Sequence, residues 1–132
     1  RDAVEKEGIS DMVEFLGWRS DCSEILRALD LFVLPSLSEG LSRATVEAMW
    51  MECPVVAADT GAMADLIDDS VGRLVPKNDT DAMVLAIESL ATNMDLARTL
   101  GRAGRSKVLG QFTLDLHFQR MENLFLELSG SR

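Results

Sequence analysis

The chain has little of what a metal centre or a covalent-catalysis site is made from. It contains 1 histidine and 2 cysteines in 132 residues. Cys22 and Cys53 stand at neither metal-ligand nor disulfide-framework spacing, so reduced thiols in a cytosolic protein are expected. His117 falls between Leu116 and Phe118 in a helical pattern, and no Ser or Cys nucleophile has the company a hydrolytic triad needs. Basic residues are also scarce. Lys and Arg number 13 against 22 Asp and Glu, for a net charge of −9 with no basic block, which argues against nucleic-acid or anionic-membrane binding. No apolar run approaches the ~18 residues of a membrane span. "TGAMAD" has the glycine pattern of neither a P-loop nor a dinucleotide fingerprint. Repeats, low-complexity tracts and clear linkers are missing as well. So is an initiating Met: the chain opens on "RDAVEKEG", which reads as the tail of a charged helix, and a fragment of something longer is expected.

What is present reads as one α/β domain. Apolar residues make up 47% and charged residues 27%, an ordinary globular balance, in a chain long enough to bury a core. "MVEFLG" (12–17) predicts a strand ended by Gly17. "SDCSEILRALD" predicts a helix capped by Asp21 or Ser20, with Ile25, Leu26 and Leu29 on its apolar face. "LFVLP" (31–35) predicts a central parallel strand, buried on both faces and stopped by Pro35. A helix from about Arg43 to Met51 follows, with Ser42 as its cap. Then come a buried strand "PVVAA" (54–58), a short helix "MADLI" after Gly61, and an edge strand "GRLVP" (72–76). This alternation implies right-handed crossovers and a parallel sheet with helices on both faces. The remainder, from "DTDAMVLAIESLATN" onward, reads as helices. In the last of them Leu114, Phe118, Met121, Phe125 and Leu128 recur at spacings of four, three, four and three. That stripe either packs on the chain's own sheet or docks on a partner domain.

Ligands of an open parallel sheet bind beyond the carboxyl ends of its strands. Three loops should gather there: "GWRSD" (17–21), "SLSEGLSR" (36–43) and "ADTGAMAD" (58–65). Each enters a helix start, where free N–H groups and the positive dipole end suit phosphate oxygens, and Gly40 and Gly61 would let a ligand approach the backbone. Two acids stand in this region, Glu39 and Glu47, eight positions apart. Glu47 lies about one turn inside a helix among Ala44, Val46, Ala48, Met49, Trp50 and Met51. A carboxylate in such company is costly unless something hydrogen-bonds it. The vicinal hydroxyls of a ribose or a pyranose are suitable donors. The alternatives are a helix-start Glu favoured by the dipole, or one bonded to a neighbouring amide.

"SEGLSRATVEAMWMECPVVAADTGAMADLI", followed by "VGRLVPKNDTDAMVLAIESL", resembles the C-terminal domain of GT-B fold retaining glycosyltransferases of the large family GT4 (glycosyl transferases group 1). "FLGW" and "ILRALDLFVLPS" match the family's preceding elements, and the likeness covers about residues 9 to 128. It implies a Rossmann-like α/β domain, the C-terminal half of a GT-B fold with an all-helical tail. Residues 1–132 would be its nucleotide-sugar-binding part, lacking N-terminal elements and the acceptor-binding domain. The implied reaction passes a glycosyl group, of hexosyltransferase type, from a nucleotide diphosphate sugar to an acceptor hydroxyl with retention, as in polysaccharide biosynthesis. Glu39 would lie by the donor sugar and bear on the reacting centre. Glu47 would bind the ribose hydroxyls. Gly40, Leu41 and Ser42 would offer backbone N–H groups to the sugar and diphosphate, with the Arg43 backbone alongside, and Gly17, Arg19 and Asp21 would cradle the base.

The resemblance also implies no cofactor and no metal. The Asp79 and Asp81 of "NDTD" read as a helix cap rather than a metal site. Asp65, Asp68 and Asp69 read as a solvated helix end rather than a regulatory acidic cluster. The chain departs from the family in having Gly61, Ala62 and Asp65 where Gly-Gly and Glu are usual, and Glu52 where Gly precedes Cys53. The Arg and Lys that the family uses on the diphosphate would lie upstream, so this segment alone is expected to be inactive. A cytoplasmic protein is expected, with membrane association through the absent half left open. The competing reading is a non-catalytic GT-B-like module that binds nucleotide sugar or serves assembly.

Overall fold

The computed structural model describes residues 1–130. In chain order they form α1 (Asp2–Lys6), a 3-10 turn (Ser10–Met12), α2 (Cys22–Ala28), β1 (Phe32–Leu34), α3 (Arg43–Trp50), β2 (Val55–Asp59), α4 (Met63–Leu66), β3 (Arg73–Pro76), α5 (Thr80–Ala91), α6 (Met94–Gln111) and α7 (Leu114–Gly130). The strands make one parallel sheet in the order β1-β2-β3, with Phe32 opposite Val55 and Val56 opposite Arg73. Consecutive parallel strands need crossovers, and helices supply them.

Alternation along β2 divides the core. Val55 and Ala57 face a layer of Ala48 and Met49 from α3, Met63 and Leu66 from α4, and Val108 from α6. Val56 points the other way, with Val75, onto Ala86 and Leu90 of α5 and Ala97 and Leu100 of α6. Helices therefore cover both faces, as the sequence pattern predicts. Helix starts follow their caps: the Ser42 side chain accepts from the Thr45 N–H, Asp79 from Ala82, and Asn93 from Leu96. The reading of Asp79 as a cap holds, with a 2.8 Å bond.

Three expectations change. The strand predicted over 12–17 is not found among the described residues. A strand exists through its ladder, and this segment pairs with no edge of the sheet, leaving Phe15 and Leu16 exposed. β1 is half-buried and lies at an edge, and the central, fully covered place belongs to β2. On α7, Phe118, Met121, Phe125 and Leu128 are exposed, so the stripe does not pack on the chain's own sheet. The side chains of Leu114 and His117 lie outside the described residues.

One polar tie joins α6 to the turn after α4. Asp68 accepts from the Lys107 ammonium at 2.7 Å, from the Ser70 N–H at 2.9 Å and from the Ser70 hydroxyl. The Lys107 bond, then the two from Ser70, pull the Asp68 carboxyl from 3.8 down to about 2. A folded pKa below the unfolded one adds stability above the unfolded value and loses it as pH falls through the folded one. Stability should therefore decline between about pH 4 and pH 2, and Asp68→Asn should flatten that decline. Because Asp68 is half-exposed, solvent screening limits the effect to about 1 kcal/mol. Urea melts of both proteins across this pH range would measure it.

Candidate functional site

The carboxyl ends of the strands release the chain at Pro35, Thr60 and Lys77. Between Pro35 and α3 lies the loop that carries Glu39. Its far end is fixed by Ser42, a buried cap whose hydroxyl accepts the Thr45 N–H at 3.4 Å. Its middle is fixed by the next loop: the Ala62 N–H donates to the Gly40 carbonyl at 3.2 Å. Gly61, at φ +57, packs so closely that an added Cβ would stand 1.9 Å from the Glu39 carbonyl oxygen. The Glu39 side chain is half-buried, and the space around Gly40 is open.

Glu47 is not the buried acid that its neighbours suggest. Its side chain is 50% exposed and stands 3.6 Å from the Arg43 guanidinium. The buried face of α3 is Thr45, Ala48 and Met49, spaced three and four apart, whereas Ala44 and Trp50 fall with Glu47 on the open side. An i,i+4 pair in solvent contributes only about 0.3–0.5 kcal/mol, so little holds Glu47 to Arg43.

Glu47 borders two cavities. The larger, 690 Å³, has Leu41, Arg43, Val46 and Glu47 on one wall and Gln111, Phe112, Thr113 and Arg120 on the other. The second, 190 Å³, runs between α3 and α2 and touches Ser23, Leu26, Glu47 and Trp50. Through it the first turn of α2, which follows the loop 17–21, adjoins Glu47. In that loop Arg19 grips Asp21 with bonds of 2.8 and 2.5 Å, which lowers the Asp21 pKa and raises that of Arg19. Asp21 stands at the N-cap position of α2 without bonding an N–H there, because Arg19 holds its carboxylate. Gly17, at φ +66, has nothing within 4 Å of an added Cβ.

The structure thus brings Leu41, Arg43 and Glu47 to one cavity. Glu39 does not line it. Gly17, Arg19 and Asp21 do not line it either. The wall from Gln111 to Arg120 was missed, since only the break in helical pattern at "QFT" marked that corner. Arg120 is held there by donating to the Gln111 carbonyl at 3.3 Å. This arrangement offers a half-buried acid at the sheet edge, a second acid at a cavity of ligand size, and a capped helix start between them. Two guanidinium groups, Arg43 and Arg120, add positive charge to that cavity in a chain of net charge −9.

Residues 1–93 match the family described as Glycosyl transferases group 1. The lipopolysaccharide core biosynthesis mannosyltransferase LpsB of Rhizobium meliloti is 30% identical over 118 residues, which is 87% of this chain and 34% of that protein. Sucrose-phosphate synthase from Thermosynechococcus elongatus superposes with a TM-score of 0.88 and 28% identity, over 99% of this chain and 34% of that one. Anabaena HepE in complex with UDP gives 0.87 and 25%, over 93% of this chain and 35% of that one. The chain spans about a third of the length of each.

Proposed function

Because the chain belongs to the glycosyl transferases group 1 family, we propose that it is the donor-binding part of a glycosyltransferase. Its fold is the Rossmann-like C-terminal half of a GT-B enzyme. The donor would be a nucleotide diphosphate sugar and the acceptor a hydroxyl, with retention at the transferred centre and without a metal or other cofactor. Glu47 binds the ribose hydroxyls, because an exposed carboxylate weakly paired with Arg43 can turn to two donors at once. Gly40, Leu41 and Ser42 present backbone N–H groups to the sugar and diphosphate, with the Arg43 backbone beside them. Gly17, Arg19 and Asp21 cradle the base, and Glu39 steadies the donor sugar. In this reading residues 1–132 are one domain of a longer protein, whose other half holds the acceptor and the remaining cations. The exposed apolar residues of α7 dock on that half, and the segment alone does not turn over. The protein works in the cytoplasm, and any hold on a membrane comes through that other half.

The observation that carries this reading is the 690 Å³ cavity that sets Glu47 beside Leu41 and the start of α3. HepE, with a similar fold, holds UDP, which supports a nucleoside diphosphate here. Amide NMR of the chain should show saturable shifts at residues 17–21 and 38–47 with one of UDP, GDP or ADP. Glu47→Ala should weaken that response about tenfold, the loss expected for a charge-assisted pair of hydrogen bonds. No response to any of the three from the folded chain, or an unchanged affinity in the variant, would refute the assignment of Glu47.

A further inference from the structure

The turn after β2 holds the loop after β1 through two carbonyls. The Glu39 oxygen packs on the Gly61 Cα, where a Cβ would stand 1.9 Å away, and the Gly40 oxygen accepts the Ala62 N–H at 3.2 Å. An added Cβ at Gly61 would also stand 2.9 Å from that Gly40 oxygen. A trans peptide is planar, with its N–H pointing opposite its C=O, and no peptide bond is cis among the described residues. Turning the Glu39 and Gly40 carbonyls toward Gly61 therefore turns the N–H groups of Gly40 and Leu41 away from it. The space at Gly40 is itself open, with nothing within 4 Å of an added Cβ. Neither N–H donates to a backbone carbonyl among the described residues.

We infer that the Gly61–Ala62 turn is a positioning device: it orients the Gly40 and Leu41 N–H groups as a pair toward the donor phosphates and fixes the peptide from which Glu39 projects. This rests on the function proposed above. Gly61 touches no substrate and acts through the loop it holds. Two demands meet at this residue, a φ of +57 and the absence of a Cβ. Gly8, at φ +67 with nothing within 4 Å, makes only the first demand, and Gly8→Ala is the matched control.

UDP and uridine are the probes, read by amide NMR on the whole chain. In the native chain UDP should bind more tightly than uridine and shift the Gly40 and Leu41 amides. Gly61→Ala should lower the preference for UDP about tenfold, as loss of a charge-assisted bond does, with uridine affinity unchanged. Gly8→Ala should alter neither. A general loss of fold would weaken both ligands together, so the ratio is what separates positioning from stability. Hydrogen exchange in the native chain needs no variant: Ala62 should be protected and Gly40 and Leu41 should exchange freely. An unchanged UDP-to-uridine ratio in folded Gly61→Ala, or protection at Leu41 with free exchange at Ala62, would overturn the inference. If neither probe binds the native chain, the donor-site reading fails, while exchange still decides whether the turn orients the loop.

Discussion

Replacing Glu39 by Ala in the intact protein is expected to cut turnover by about 10²–10³-fold, the cost of removing one preorganised group beside a reacting centre. Nucleotide affinity should change by less than about twofold, because residues without shared contacts act independently. The separation follows from geometry. Glu39 hangs from a peptide pinned by Gly61 and Ala62, and it lies outside the cavity that Glu47 shares with Arg43 and Arg120. Glu47→Ala should give the mirror result, with weaker nucleotide binding and a smaller loss of the chemical step. Steady-state kinetics with nucleotide titrations on both variants would test the pair. Undiminished turnover in Glu39→Ala would remove Glu39 from the chemistry. No turnover in the native intact protein, with nucleotide still bound, would favour the module that binds without transferring.

What the sequence reveals here is what short range decides. The caps at Ser42 and Asp79 depend on residues three apart, and both were legible. β2 was legible because Val55 to Ala58 are all buried, so the run needed no alternation. Phe15 and Leu16 look like strand residues, yet a strand needs a paired edge, which no local pattern supplies. Glu47 shows a second limit: apolar neighbours in sequence do not enclose a residue whose flanks, Ala44 and Trp50, lie on the open side of α3. The far wall of the cavity, Gln111 to Arg120, was invisible for the same reason. Its residues meet Glu47 only after α6 has crossed the sheet.

Glu52 illustrates the opposite case, a local departure whose meaning needs the structure. α3 ends with the Glu52 N–H donating to the Met49 carbonyl at 3.0 Å and the Cys53 N–H to Ala48 at 3.0 Å. That is the Schellman arrangement, and it puts Glu52 at φ 61, where glycine is usual. A side chain there costs about 1 kcal/mol. Arg105 offsets part of this, donating to the Trp50 carbonyl at 3.0 Å and standing 3.8 Å from the Glu52 carboxylate.

The same turn makes Gly101 the least replaceable glycine on α6. An added Cβ would stand 2.1 Å from the Glu52 carbonyl oxygen and 3.0 Å from its carbon. Both are backbone atoms of a turn locked by its own hydrogen bonds, so no rotamer change relieves the overlap. Gly101→Ala must push α6 off α3, opening the core layer that includes Val108 and Met49. Alanine gains about 1 kcal/mol over glycine in a helix interior, but overpacking against fixed atoms costs about 1–3 kcal/mol or more. The net loss should be about 2 kcal/mol, a large share of a domain's roughly 5–15 kcal/mol. Gly110, on the same helix, has nothing within 4 Å of an added Cβ, so Gly110→Ala should instead stabilise by about 0.5–1 kcal/mol. Opposite signs from one substitution type on one helix leave propensity no room as the explanation. Equal shifts in the urea midpoints of the two variants would show that the Glu52 turn yields to α6.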